Sequence, residues 1–500
     1  MLVKRRGRLG PASSTATVVS AAAAGPAQRT SKLTAVVLSV LVAVPLQATL
    51  PSAGVGTRRL AGAATQQHRT AAPMSSCASS RTGPVPSPSS LEASWPSYGG
   101  NPANTHTAVD SRITAANVAS LRLSWATCLV PPGKASVTAS GITTTAPGYY
   151  LPHTTDQLYL TNPVIGGGHV FVEPVFVKAF SNAPAGFAEL VAVDEPTGRV
   201  DWTRRLGPEV DISLLPAPVV DHGRVYAGDL STLYAFNASD GALLWKYSSP
   251  ATGQPIFPNV SGGRVYFARN FGLFALNAST GAVDWTARLL ATPTDSTPPA
   301  VMGPTVVIGD CYGGVQAFST SDGAPRWAVH LSSPTLLANV TSPTFGGGNI
   351  FVSNGKRLFA LDANKGTIVW SHPEQDVLGN PVFVTDQGSV FAPTTAGPWQ
   401  AYSTATGQER PGFRSDATGA DVGQAATGSR DVIFFPTVLG ALKAIDASTG
   451  RTLWTMSGST VPPAIAGIED KTSSAAVAGS ALVVFVGRST GAFLALYGLP

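Results

Sequence analysis

The sequence predicts an all-β protein, an eight-bladed β-propeller of four-stranded antiparallel blades, from three observations. A thirteen-residue unit recurs along the chain, as in "LYAFNASDGALLW" at 233–245 and "LFALNASTGAVDW" at 273–285. Its seven copies follow one another every 40 to 43 residues, which is the period of a propeller blade. The 52 Gly and 40 Pro residues, in a chain that is 44% hydrophobic, suit many short strands joined by turns.

Two positions of the unit have a clear structural role. The glycine tolerates a positive φ, which the tight turn between the third and fourth strands of a blade requires. The tryptophan four residues later buries a large ring between neighbouring blades, and its indole N–H needs one partner. The glycines are Gly198, Gly241, Gly281, Gly323, Gly366, Gly407 and Gly450. The tryptophans are Trp202, Trp245, Trp285, Trp327, Trp370 and Trp454, and the copy at 399–411 has Pro411 in this place.

The two ends of the chain are predicted to complete one blade together. The last residues, "ALVVFVGRSTGAFLALYGLP", supply the second and third strands of a blade and then stop. Trp125, in "LRLSWATCL", follows no copy of the unit. A strand at 121–128 can therefore add the missing outer strand to the last blade. This N-terminal strand would close the ring without an exposed edge and bring the expected number of blades to eight.

The first ninety residues differ in composition from the rest. The basic stretch "MLVKRRGR", followed by the apolar stretch at 33–50, predicts a signal peptide or an N-terminal membrane anchor over residues 1–55. Residues 56–91, rich in Ala, Ser, Thr and Pro, are predicted to be a disordered linker, and residues 92–500 the propeller. We therefore expect an extracytoplasmic protein, secreted or anchored, that meets a membrane only through its N-terminal segment.

The net charge of +5 arises from the N-terminal region. Ten Lys and Arg residues and no acid precede Glu92. Without them the chain has 23 basic against 28 acidic residues, a net charge of −5. A mildly acidic propeller argues against nucleic-acid binding, which depends on contacts between basic side chains and phosphates.

Three cysteines are too few for a disulfide framework. Cys77 lies in the predicted linker and is expected to be a free thiol. Cys128 and Cys311 fall on distant repeats, so no bridge is expected between them.

The repeat Ala-x-Asp-x-x-x-Gly-x-x-x-Trp, together with "WPSYGGNPANTHTAVDSRITAANVASLRLSW" at 95–125, resembles the pyrroloquinoline-quinone (PQQ) repeat propellers. That superfamily includes quinoprotein alcohol dehydrogenases, polyvinyl-alcohol dehydrogenases and a non-enzymatic scaffold of outer-membrane assembly. The resemblance covers about residues 92–500. The segment at 95–125 looks most like the dehydrogenases, whereas the repeat itself indicates the fold and says little about activity.

The resemblance implies that a functional site would lie in the axial funnel, among the loops that follow second strands and the loops that link blades. A quinoprotein needs oxygen ligands for Ca²⁺, a carboxylate base and cations for the quinone carboxylates. The candidate bases are Asp310, Asp229 and Asp295. The candidate PQQ-binding residues are Arg269, Asn270, Asn354, Lys356 and Arg488. The candidate metal ligands are Glu173, Asn339 and Asp421. For each of these residues, the role of an ordinary solvated loop residue is favoured over a role in a site.

Two functions remain open on the sequence. The first is a monomeric binding or scaffold module that presents its funnel or rim loops to a protein, peptide or glycan. The second is a PQQ- and Ca²⁺-dependent dehydrogenase that oxidises an alcohol or sugar and passes electrons to a separate acceptor. The segment at 95–125 favours the dehydrogenase. The lack of two adjacent cysteines and of a Cys-x-x-Cys-His haem motif favours the scaffold.

Overall fold

The structure is a computed structural model, and all the residues it describes belong to one compact unit, Thr70–Pro500. The described residues are 80–81, 94–108, 110–129, 135–138, 141–144, 157–159, 161–177, 187–207, 217–229, 231–248, 256–293, 297–331, 339–354, 357–373, 383–384, 388–392, 399–416, 426–436, 442–456, 471–472, 474–488 and 491–500. The predicted signal or anchor at 1–55 lies outside them. Of the predicted linker at 56–91, only Ser80 and Arg81 are described.

Strands make up nearly all the regular structure of the described residues, beside one 3-10 turn at Val118–Ser120. The first nineteen strands are β1 (Ser80–Arg81), β2 (Thr107–Ala108), β3 (Arg122–Cys128), β4 (Ala135–Thr138), β5 (Gly141–Thr144), β6 (Gln157–Tyr159), β7 (Val164–Gly166), β8 (His169–Val172), β9 (Val175–Val177), β10 (Phe187–Asp194), β11 (Val200–Leu206), β12 (Val219–Asp221), β13 (Arg224–Gly228), β14 (Thr232–Asn237), β15 (Leu243–Ser248), β16 (Asn259–Ser261), β17 (Arg264–Arg269), β18 (Gly272–Asn277) and β19 (Val283–Arg288).

The second nineteen strands continue the same pattern of short antiparallel elements. They are β20 (Ala300–Met302), β21 (Thr305–Gly309), β22 (Gly314–Ser319), β23 (Pro325–His330), β24 (Thr344–Gly346), β25 (Asn349–Ser353), β26 (Arg357–Asp362), β27 (Ile368–Pro373), β28 (Phe383–Val384), β29 (Ser389–Ala392), β30 (Gln400–Ser403), β31 (Thr427–Ser429), β32 (Val432–Pro436), β33 (Leu442–Asp446), β34 (Thr452–Thr455), β35 (Lys471–Thr472), β36 (Ala476–Ala478), β37 (Ala481–Arg488) and β38 (Gly491–Gly498).

Most of these strands form seven four-stranded blades and one three-stranded sheet in a closed ring, whereas β4 pairs only with β5. Blade 1 is β7, β8, β10 and β11, and blades 2 to 5 are β12–β15, β16–β19, β20–β23 and β24–β27. The three-stranded sheet, β28–β30, precedes blade 6, β31–β34, and blade 7 is β36, β37, β38 and β3. The innermost strand of each unit contacts the innermost strands of its two neighbours, and β36 contacts β7 to complete the ring.

The prediction of eight four-stranded blades is wrong, because the described residues form seven. In the sheet β28–β30 the chain still turns after β30, where Gly407 N donates to Ser403 O at 2.8 Å. A single bridge from Tyr402 to Glu409 then takes the place of a fourth strand. Pro411 follows where the other units carry tryptophan, and proline has no N–H to continue a ladder. The unit at 399–411 therefore marks a sheet without marking a full blade.

The N-terminal strand β3 supplies the outer strand of blade 7. It pairs antiparallel with β38, from Arg122 opposite Gly498 to Cys128 opposite Phe493. The two ends of the chain thus share one sheet, so the ring cannot open without breaking this ladder. Outside β3, the short strand β1 adds two further pairs, Ser80 with Ala126 and Arg81 with Trp125.

The repeat tryptophans from Trp202 to Trp370 each donate a hydrogen bond to the turn of the next unit in the ring. In blade 2, Trp245 Nε1 donates to Ala278 O of blade 3 at 3.1 Å. A Cβ added at Gly281 would lie 2.6 Å from the Trp245 ring. Glycine is therefore needed for two reasons: it tolerates the φ of 72°, and its lack of a Cβ leaves room for the face of the Trp245 ring. The sequence assigns these two roles to separate residues, and the structure joins them in one contact between blades.

Alanine at Gly281 is expected to destabilise the protein by about 3 kcal/mol, because a left-handed backbone with a Cβ costs about 1–2 kcal/mol and the ring must also move. Gly263, in the same blade, is the matched control, since it has a φ of 75° and open space around a Cβ. Urea unfolding of both variants separates the two effects. Equal losses for Gly281→Ala and Gly263→Ala would show that the ring contact contributes nothing.

Cys128 is disulfide-bonded and Cys311 is a free, partly buried cysteine. The expectation that these two do not pair is confirmed, but the sequence did not predict a disulfide at Cys128. Cys77, expected to be a free thiol, lies outside the described residues. None of the described helices is long and apolar enough to cross a membrane.

Since the chain has three cysteines, one intramolecular disulfide leaves one thiol. We expect thiol titration of the denatured protein to give one reactive thiol per chain without reductant and three after reduction. Three thiols without reductant, in protein purified from an oxidising compartment, would contradict a disulfide at Cys128.

Candidate functional site

The candidate residues that the structure describes lie on one face of the ring, called here the funnel face. Second strands of the blades end on this face, and the loops that link one blade to the next also lie there. Asp229, Arg269, Asp310 and Asn354 stand at the ends of β13, β17, β21 and β25, at equivalent positions in blades 2 to 5. The repeat thus carries these four side chains to the same level around the axis.

Three of these four side chains stabilise their own loops. Asp229 Oδ1 accepts the N–H groups of Ser231 and Thr232, both at 2.6 Å. Asp310 Oδ1 accepts the N–H groups of Tyr312 and Gly314 at 2.9 and 2.7 Å. In blade 5, Asn354 Oδ1 accepts the N–H of Arg357 at 3.0 Å. Aspartate and asparagine commonly cap turns in this way, which gives all three residues a structural role.

Glu173, at the end of β8 in blade 1, is in a different situation. Its side chain is 1% exposed, and neither carboxylate oxygen has a hydrogen-bond partner among the described residues. Only its backbone is held, by Glu173 N donating to Thr161 Oγ1 at 2.8 Å. Burial, reinforced by the negative charge of Asp229, raises the pKa of Glu173 well above its usual range. A cation or a hydrogen-bonding ligand would offset the free-energy cost of burying this carboxyl group without a partner.

Arg269 extends the group of buried charges into blade 3. Its guanidinium is almost fully buried, and burial lowers its pKa while the charge of Asp229 acts in the opposite direction. The negative charge of Asp229 thus affects the pKa of both Glu173 and Arg269. We call Glu173, Asp229 and Arg269 the charged cluster. It brings together one residue from each of three consecutive blades.

The other predicted site residues are not part of this cluster. Asn270 forms the tight turn after β17 with a φ of 51°, and Asn339 is exposed in the link before blade 5. Asp295, Lys356 and Asp421 lie outside the described residues, and of Arg488 only the backbone is described, at the end of β37. Within the described part of the chain, no group of three or more His, Cys, Asp or Glu side chains could hold a metal ion.

An apolar surface that was not predicted from the sequence lies on the rim of the funnel face. Phe271, Leu290 and Tyr312 are 54%, 70% and 40% exposed and lie on neighbouring loops of blades 3 and 4. Leu289 N donates to Phe271 O at 2.8 Å, and Leu290 N donates to Gln316 Oε1 at 3.0 Å. These bonds hold the link between the blades against the loop of Phe271 and against strand β22, which begins two residues after Tyr312. A phenylalanine at the tip of a two-residue turn was the available sign in the sequence. We call Phe271, Leu290 and Tyr312 the rim patch.

A family search matches most of the propeller. The model of the family described as outer membrane protein assembly factor BamB matches residues 109–298, 186–358, 273–412 and 355–496. The resemblance to PQQ-repeat propellers that the sequence indicates is confirmed by this match. A curated relative, the serine/threonine-protein kinase AfsK of Streptomyces griseus, is 30% identical over 159 residues. That match covers 30% of this chain and only 20% of the kinase.

Solved structures of both branches share the fold. Quinohemoprotein alcohol dehydrogenase from Comamonas testosteroni aligns with a TM-score of 0.58 at 15% identity, over 83% of this chain and 81% of that one. BamB from Moraxella catarrhalis aligns with a TM-score of 0.50 at 15% identity, over 69% of this chain and 98% of that one. At such identities the likeness concerns the fold alone.

Proposed function

We propose that this chain, which belongs to the family of the outer membrane protein assembly factor BamB, is an extracytoplasmic binding or scaffold propeller that presents its rim patch to a protein partner. The observation that carries this proposal is the exposure of three large apolar side chains on one stretch of the funnel rim. Exposed apolar patches on soluble proteins are common sites of protein association. The family description, which names an assembly factor, supports a protein as the partner.

Site-specific photocrosslinking in the producing organism tests the rim patch. A photoreactive phenylalanine analogue replaces Phe271 or Tyr312 in the full-length chain, and adducts are separated by mass. Leu243 on β15 is the matched control position, because its side chain is 52% exposed, as apolar as Phe271, and lies on an outer strand away from the rim.

We expect a discrete adduct from the two rim positions and none from Leu243. The proposal would fail if the rim positions gave no adduct, or if Leu243 gave the same one. A second variant, Leu290→Ser, is expected to reduce the yield of the Phe271 adduct, because it removes the most exposed apolar side chain of the patch.

The extracytoplasmic location is supported by two independent features. The basic and apolar N-terminal stretches are typical of export signals or anchors. The disulfide at Cys128 is typical of an oxidising compartment, since cytosolic thiols are kept reduced. Fractionation of cells that produce the full chain, with protease added outside the membrane, would test this location. If the added protease left the propeller uncut in intact cells that have no outer membrane, the extracytoplasmic location would be contradicted.

The charged cluster favours a second candidate function, a PQQ-dependent dehydrogenase. The unpartnered, buried carboxyl group of Glu173 suits a metal cation, and the buried guanidinium of Arg269 suits a carboxylate of the quinone. Bound PQQ would supply the acceptor for hydride from an alcohol. Asp229 would act as a positioning residue between the two, because Ser231, Thr232 and Tyr234 already hold its carboxylate.

Titration of the purified full-length protein with PQQ and Ca²⁺, followed by absorbance and by a dye-linked alcohol assay, tests this second candidate. Saturable binding with dye reduction, abolished in Glu173→Gln and retained in Asp310→Asn, would support it. Asp310 is the matched control because its carboxylate caps a loop on the same face. Absence of saturable binding would remove the dehydrogenase and leave the scaffold.

A further inference from the structure

The inner edge of the ring is covered by the chain itself. Residues 95–108 and 110–112, called here the axial segment, follow the innermost strands around the axis. Trp95 exchanges two backbone hydrogen bonds of 2.9 Å with Ile165 of blade 1. Pro96 O accepts Val220 N of blade 2 at 2.8 Å, and Pro102 O accepts Val301 N of blade 4 at 2.7 Å.

The same pattern continues around the rest of the ring. Ala103 O accepts Phe345 N of blade 5 at 3.0 Å, and β2 pairs parallel with β31 of blade 6. In blade 3 the contact is made by a side chain, since Asn259 Nδ2 donates to Pro102 O at 2.9 Å. Arg112 N finally donates to Gly479 O at 2.7 Å, in the turn after β36 of blade 7. One segment therefore bonds to all seven blades.

The axial segment crosses from one face of the ring to the other. Asn104 is fully buried, and its Nδ2 donates to Ser342 Oγ at 3.1 Å and to Pro298 O at 3.4 Å. Both partners precede innermost strands, so they lie toward the funnel face. Gly479 follows an innermost strand, so it lies toward the opposite face. Between these two levels the segment occupies the axis.

Two glycines allow parts of the axial segment to pack closely against one another. A Cβ on Gly99 would lie 2.5 Å from Asn104 Cα, and one on Gly100 would lie 2.7 Å from the Trp95 ring. The φ of Gly100 is 76°, which disfavours any other residue. Within the segment, the partly buried ring of Tyr98 meets the buried ring of His106 edge to face, with 5.1 Å between the ring centroids.

From this arrangement we infer that the axial segment is a fixed plug, which closes the channel and makes the two faces of the propeller separate binding surfaces. The N–H groups of the innermost strands, which a hollow channel would leave to solvent, are taken by the plug. A ligand can then enter the funnel only from the funnel face, because the axial segment closes the other end. A polypeptide cannot be threaded through the ring. This inference depends neither on a protein partner nor on a cofactor.

Hydrogen exchange tests the plug in the full-length protein. In the wild type, the amides of Val220, Val301 and Phe345 should exchange as slowly as those within the β13–β14 ladder, to within about tenfold. In Gly99→Ala/Gly100→Ala, those three amides should exchange about 100-fold faster while the ladder amides keep their rates. Gly167→Ala is the matched control, with a φ of 63° and free space for a Cβ.

The wild-type measurement decides the question even if the double variant does not fold. Rapid exchange of Val220, Val301 and Phe345 in the wild type, with the ladder still protected, would show that the segment leaves the channel and would overturn the inference. A folded double variant with unchanged exchange would do the same, because the two glycines would then not be what keeps the plug in place.

Discussion

Trp125→Ala is expected to destabilise the protein by about 4 kcal/mol, the largest loss among single substitutions of the repeat tryptophans. Trp125 lies on β3, the strand that closes the ring, and is 1% exposed. Its Nε1 donates to Glu195 O of blade 1 at 2.8 Å, and Gly198 packs against its ring. The substitution removes a buried aromatic ring and one of the hydrogen bonds that join the last blade to the first.

Urea unfolding followed by circular dichroism measures this loss. Trp454→Ala is the matched control, because Trp454 of blade 6 is only partly buried. Its ring contacts that of Tyr497, with 5.5 Å between the ring centroids. Its loss should be smaller by about 1–2 kcal/mol. Equal losses for the two variants would contradict a special role for the closing strand.

Mild acid is expected to destabilise the propeller through His106. Burial lowers the pKa of His106 to about 3 from an ordinary value of about 6.5. The unfolded chain therefore binds a proton more readily than the folded one, and this contribution to stability is lost as pH falls from about 6.5 towards 3. Between pH 7 and pH 4.5 the loss from this one group is about 2–3 kcal/mol.

The variant His106→Asn removes the titrating group and keeps a residue that tolerates the φ of 54° at this position. Its free energy of unfolding should fall less between pH 7 and pH 4.5 than that of the wild type. His222→Asn is the control, since His222 has a φ of 43° and its side chain is 84% exposed. An identical acid dependence in His106→Asn and the wild type would show that His106 is not the group responsible.

The predicted site residues show which features of a functional site can be predicted from a sequence and which cannot. The repeat placed Asp229, Arg269, Asp310 and Asn354 on the correct loops, because each follows the second strand of its blade. Their roles could not be predicted, since an aspartate at such a position can cap its own turn or face a ligand with the same sequence around it. The hydrogen bonds distinguish the two roles: they identify the aspartates that cap turns, whereas the carboxyl group of Glu173 has no hydrogen-bond partner among the residues that the structure describes.

The blade repeat, the turn glycines, the inter-blade tryptophans, the family and the strand that closes the ring could all be predicted from the sequence. These features depend on local spacing and on residues with strong backbone or packing preferences, which are visible along the chain. The number of four-stranded blades could not be predicted, because the effect of Pro411 depends on how a partner strand pairs. The same is true of the loops that form the charged cluster and the rim patch, and of the axial segment that fills the axis. Those contacts join residues far apart in sequence, and they exist only once the ring has closed.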